Sequence, residues 1–214
     1  MDRALAGASS ALGVVPGVPS NRQLRIASCC VTPSRSELLR LLTGYHPGDE
    51  AEQRYRVEML DLAAAAHDPF DRAQYEPGHF TASGFVVHPD GEQVLLVHHA
   101  KLGIWVQPGG HVDADDPSPF DAAVREVREE TGIDHIRPVT RELFDIDVHV
   151  FGGSGDQPRH LHYDLRFTLI ADDATLRSNA EVIAAGWFTL GDLAGLGVDE
   201  SVRRPVGKVL GAGD

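Results

Sequence analysis

The feature that most restricts how this 214-residue chain can fold is the spacing of Glu126, Glu129 and Glu130, at i, i+3 and i+4 of a segment with helical periodicity. On a helix all three carboxylates share one face. Like charges so arranged repel, and Glu129 and Glu130 lie towards the C-terminal end, where the helix dipole disfavours anions. A helix that accumulates this cost is either solvated or holds cations. Ala122, Ala123 and Val127 fall mainly on another side, where small residues permit close approach to a sheet. The spacing predicts a helix over 119–131, ended by Gly132 in the left-handed conformation.

Three clustered oxygen donors suit Mg²⁺, which takes carboxylates, waters and phosphate oxygens in an octahedral shell. Gly109 and Gly110 let a loop backbone come near that cluster, so that its carbonyls or amides can join it. Arg125 is i−4 to Glu129 and can hold the carboxylate face in place through an ion pair. Taken alone, Arg-Glu-x-x-Glu-Glu also describes an ordinary solvated helix face. The joint pattern is more specific: a Gly-Gly loop, an acidic stretch, an Ala-Ala helix, then Arg125-Glu126-Val127-Arg128-Glu129-Glu130-Thr131-Gly132-Ile133.

That joint pattern resembles the Nudix box. Gly110 matches its opening glycine, and Arg125, Glu126, Val127, Glu129, Glu130, Gly132 and Ile133 match its closing run. There is one departure. Counted forward from Gly110, the family's first glutamate falls at Asp116; counted back from Arg125, it falls at Pro117. The box is one residue longer than standard, with Asp116 or Asp115 in place of its first acid. Weaker resemblance extends over residues 80–193, including Trp187-Phe188.

The resemblance implies an α/β (α+β) fold: an α/β/α sandwich around a mixed sheet. It implies a Mg²⁺-dependent hydrolase, with Mn²⁺ as a substitute, that cleaves the diphosphate linkage of a nucleoside diphosphate derivative such as a nucleotide sugar, ADP-ribose or a (d)NTP. Glu126, Glu129 and Glu130 would bind metal, with the Gly110 carbonyl as a further ligand. Glu126 is the candidate to accept the water's proton, and Arg125 would orient the cluster. A further acid often comes from outside the box, and Glu181 is the candidate; its ordinary alternative is an exposed loop glutamate.

The remaining chain divides into three parts. Residues 1–33 lack periodicity and suit a disordered tail, since Gly7, Gly13, Pro16 and Gly17 interrupt any secretory signal. Helices over 34–43 and 49–67 make an N-terminal extension at 34–78. The main domain follows at 79–214. Its expected strands are 80–88 and 93–99 around the Pro89-Asp90-Gly91-Glu92 turn, 105–112 interrupted at Pro108, 138–150, 160–170 and 185–188. Helical pieces follow at 190–196 and 200–210.

His160 and His162 share one face of their strand. With Arg166 on the same parity and Tyr163 and Asp164 adjacent, that face is a candidate for meeting phosphates or a sugar. Two histidines make an incomplete metal site, and no third ligand stands at motif spacing; paired strand histidines ordinarily pack and hydrogen bond. His111, next to Gly110, is a candidate for reaching substrate, with loop packing as its alternative.

The net charge of −13 disfavours a nucleic-acid duplex as partner. It leaves a small phosphorylated substrate open, because a bound cation supplies local positive charge. Cys29 and Cys30 are adjacent and cannot staple distant segments, which fits a reducing, cytoplasmic setting. No apolar run approaches the ~20 residues of a membrane span. The N-terminal helices make a homodimer the expected assembly to test. The rival to a pyrophosphatase is a non-catalytic nucleotide-binding sensor, which has no need of a Mg²⁺ cluster. Isomerase chemistry ranks last, since it needs a cysteine at the reacting carbons and both cysteines lie in the tail.

Overall fold

The computed structural model describes residues 33–100, 103–153, 155, 157–177 and 182–211. Its two longest strands, β1 (Gly78–Val87) and β7 (His160–Ala171), are buried along nearly their whole lengths because they lie side by side mid-sheet. They pair in parallel from Gly78↔Leu161 to Val87↔Ile170. A parallel pair needs a long crossover and cover on both faces, and helices supply that cover.

The other strands add antiparallel. On the far side of β1 lie β2 (Val94–His99), returned by the turn after His88, and β4 (Gly109–His111). β2 in turn pairs with β3 (Trp105–Val106) along one edge and β8 (Val182–Phe188) along the other, since Val97 and His98 face partners in both. The outer side of β7 carries β5 (Ile136–Pro138) and β6 (Asp145–Phe151). The result is the expected mixed α/β sandwich.

One face of the sheet presents Phe80, Ala82, Val86, Tyr163, Leu165, Phe167 and Leu169 to α3 (Pro119–Thr131) in a single core. Approach is close enough that a Cβ on Gly84 would lie 2.6 Å from Val127 Cγ2. The same core takes in Leu38, Leu41 and Leu42 of α1 (Arg35–Gly44) and Met59 and Leu62 of α2 (Glu50–Ala65). Ser34 and Asp49 cap these two helices, accepting from the backbone N–H of Glu37 and Glu52. On the opposite face, Phe85, Val94 and Leu96 pack under α4 (Leu193–Leu196) and α5 (Glu200–Gly211).

The N- and C-terminal helices meet around the β6 edge through charge. Buried Glu52 accepts from Tyr45 Oη at 2.6 Å and from Gly48 N at 2.7 Å, and pairs with Arg204 and Lys208 of α5. Among the described residues no helix is long and apolar enough to cross a membrane.

Two expectations are corrected. The strand anticipated over 138–150 is broken into β5 and β6. Val139 N donates to Thr168 O and Phe144 N to Arg166 O, so residues 140–143 loop out opposite Phe167. From that loop Arg141 lies over the Phe120 ring, 4.2 Å from its centroid, and pairs with Asp121. The strand expected to start at residue 185 begins instead at Val182, because β2 offers partners as far as His99. Residues 1–32 of the expected tail, with both cysteines, lie outside the described residues.

Candidate active site

Local chemistry fixes α3. The Ser118 side chain caps its start by accepting from Asp121 N, Pro119 sits where its missing N–H costs nothing, and Gly132 ends it at φ 66°. The helix points Glu126 at the loop before it. A Cβ on Gly110 would lie 2.6 Å from Glu126 Oε1, so only glycine leaves that carboxylate its place against the strand backbone. Glu130 is buried and accepts from Gly109 N at 3.0 Å. Gly109 also abuts β1, where a Cβ would meet Ser83 Cα at 2.7 Å.

Arg125 ties the carboxylates together. Its Nη1 donates to Glu126 Oε1 at 2.9 Å and to Glu129 Oε2 at 3.1 Å. Its Nη2 reaches His111 O at 2.9 Å, and Nε and Nη2 together grip Asp116. Of the two aspartates left open as the box's first acid, Asp116 is the buried one at Arg125, whereas Asp115 is exposed. Asp116 closes a turn in which its N donates to Asp113 O and Asp113 N donates to Asp116 Oδ2. Burial raises the Glu126 pKa, against the opposing pull of Arg125.

A family model of the NUDIX domain matches residues 78–208. The chain belongs to the Nudix family. It is 32% identical over 108 residues to the uncharacterized Nudix hydrolase YvcI of Bacillus subtilis, covering 49% of this chain and 63% of that relative, less than two thirds of its length. A NUDIX-family hydrolase from Clostridium perfringens shares the fold at a TM-score of 0.52 and 21% identity, over 64% of this chain and 98% of that one. The NUDIX domain of Shewanella oneidensis NrtR, solved with ADP-ribose, aligns at a TM-score of 0.48 and 19% identity, over 70% of this chain and 95% of its own.

Around this Nudix helix the other candidate residues separate. His111 projects from β4 on the sheet face away from Glu126 and packs on His79, ring centroids 5.1 Å apart. His160 and His162 lie in the same group, with Nε2 atoms 3.1 Å apart. Burial, helped by neighbouring cationic and imidazole groups, lowers the pKa of His111 to about 4 and of His162 to about 2. The reading of Arg166 as a ligand-facing cation is corrected. It is 1% exposed and bonded to Asp145, Asp147, Asp164 and the Ser201 carbonyl, so its charge is compensated inside the sheet. Glu181 lies outside the described residues.

Sequence reasoning missed His79. It sits on β1, far along the chain from β7, and only the parallel register His79↔His162 brings the two together. A signal was available in principle, since His79 opens a strand whose partner also begins with histidines.

Proposed function

We propose that the chain is a divalent-cation-dependent pyrophosphohydrolase that cleaves the diphosphate linkage of a nucleoside diphosphate derivative. The observation that carries this reading is the Arg125 hub, which holds Glu126 and Glu129 beside Gly110. The donor set is all oxygen, which fits a hard cation such as Mg²⁺. Glu126, Glu129 and Glu130 would hold it, with the Gly110 carbonyl as a further ligand. When bound, the cation neutralises phosphoryl oxygens and lowers the pKa of attacking water.

The residues of the chain do the rest. Glu126 accepts the proton of the water that attacks phosphorus, the bond from that phosphorus to the bridging oxygen breaks, and the other phosphate-bearing group leaves. Arg125 keeps Glu126 and Glu129 in register, and Asp116 keeps Arg125 in place. His111 lies next to this site through its own carbonyl, which Arg125 binds.

The deciding experiment measures phosphate and nucleotide release from nucleoside triphosphates, ADP-ribose, nucleotide sugars, CDP-alcohols and dinucleoside polyphosphates. It is run with and without Mg²⁺, for the native protein and Glu129→Gln. Metal-dependent turnover that collapses in the variant is the expected result. Tight nucleotide binding without turnover of any compound would instead establish a sensor.

A further inference from the structure

His79, His160 and His162 bring one ring nitrogen each to within 4.8 Å of one another, on the sheet face away from Glu126. Two of them lie 3.1 Å apart already, close to the ~3.3 Å that separates two nitrogens bound to one tetrahedral zinc-type ion.

The hydrogen bonds of the cluster are those of a prepared ligand set. His79 Nδ1 lies 3.2 Å from Gln74 O, and a carbonyl only accepts, so that nitrogen carries the proton. Its Nε2 is buried and has no hydrogen-bond partner among the described residues, on a residue only 1% exposed. A buried nitrogen left unpaired is costly and calls for an explanation. His160 repeats the pattern: Nδ1 donates to Pro158 O at 2.8 Å, which turns Nε2 inward to His162. Metal-ligating histidines characteristically donate their other ring N–H to a backbone carbonyl or carboxylate, which fixes the tautomer and aims the lone pair.

We propose that His79, His160 and His162 form a second metal site, for a borderline cation of the zinc type, separate from the carboxylate site on α3. Its chemistry is complementary to that site: imidazole nitrogens select zinc, cobalt or nickel, whereas carboxylates and carbonyls select magnesium. Three protein ligands leave one tetrahedral position for water or an anionic oxygen. Within the cluster His79 and His160 are buried, while His162 and the adjacent His111 are only partly buried. The site stands whether or not the chain is a hydrolase.

The test is titration of the full-length native protein with Co²⁺ in excess Mg²⁺, followed by visible absorption and then by displacement with Zn²⁺. One equivalent of Co²⁺ is expected to give the intense bands of a tetrahedral ion, lost on adding Zn²⁺. His79→Ala and His160→Ala should each weaken binding by more than the ~10–100-fold typical of losing an outer-shell partner. Glu129→Gln should leave the bands unchanged. Native protein that gives no tetrahedral spectrum overturns the proposal, as do bands that persist in folded His79→Ala and His160→Ala. If either variant fails to fold, Zn²⁺-induced shifts of the His79 and His160 ring ¹⁵N resonances in native protein decide instead, and unmoved resonances overturn it.

Discussion

Asp116 receives two hydrogen bonds from Arg125, from Nε at 3.0 Å and from Nη2 at 2.9 Å. The same guanidinium holds Glu126 and Glu129, so the aspartate acts on the carboxylate cluster through the arginine. Asp116→Ala is therefore expected to lower kcat by ~10–100-fold, the usual cost of removing an outer-shell partner. KM should change much less, because both Asp116 carboxylate oxygens are taken up by Arg125 and Asp113 N. Steady-state kinetics at saturating Mg²⁺ measure this split. An unchanged kcat would show that Arg125 needs no anchor.

Gly84 and Gly110 make a matched pair of tests, since an added Cβ meets something at 2.6 Å in both cases. At Gly84 the obstacle is Val127 in the core, which has nowhere to move. Gly84→Ala should destabilise the fold by about 1–3 kcal/mol, as over-packing does. At Gly110 the obstacle is the carboxylate end of Glu126, which can swing aside. Gly110→Ala should keep the native melting temperature and lose up to ~100-fold in kcat, because a small displacement of a reacting group suffices for that. Thermal melts beside turnover assays separate the two effects.

That contrast also marks what was legible in the sequence. The helix at about 119–131 could be placed because its three carboxylates, its Ala122, Ala123 and Val127 face and its Gly132 all act within a few residues of one another. Arg125 could be assigned to Glu129 for the same reason. Partnerships set by strand register were not legible. Arg166 looked like a surface cation by parity, and its partners Asp145 and Asp147 lie on β6, beyond a loop-out that no local pattern announces. His79 was missed as a third imidazole because a parallel pairing carries no turn between its strands to point to its partner.

The aspartate pair beside Arg166 predicts a particular acid sensitivity. Burial alone would raise the pKa of Asp145, but Arg166, Arg204 and Lys208 more than reverse this and hold it below the ordinary aspartate value. Asp147 behaves alike: burial raises it, and His149, Arg166 and Arg204 bring it down. A carboxylate depressed in the folded state binds protons less well than in the unfolded state. Its contribution is therefore present above the unfolded pKa of about 4 and lost as pH falls through the lower folded value. Urea unfolding should give a free energy that already falls below pH ~6.5, as the imidazoles of His79, His111 and His162 protonate in the unfolded chain but not in the folded one, and a further, aspartate-dependent decline below pH ~4. Asp145→Asn should be less stable at neutral pH and decline less steeply in acid. Parallel acid limbs in the two proteins would place the sensitivity elsewhere.

Arg166→Leu tests whether the interior charge network is structural. The guanidinium is 1% exposed and faces three aspartates that are themselves buried. Removing it leaves those carboxylates without their central cation, and breaking even one buried pair typically costs about 3–5 kcal/mol. Arg204 and Lys208 still face Asp145, and Arg204 and His149 still face Asp147, so the loss falls mainly on Asp164. The variant is expected to unfold at much lower urea concentration, or to be recovered only in small yield. Its folded fraction should show native KM for any compound turned over in the release assay, because the changed side chain is buried among the aspartates and only 1% exposed. A raised KM at unaltered stability would return Arg166 to the ligand-facing surface that its strand parity first implied.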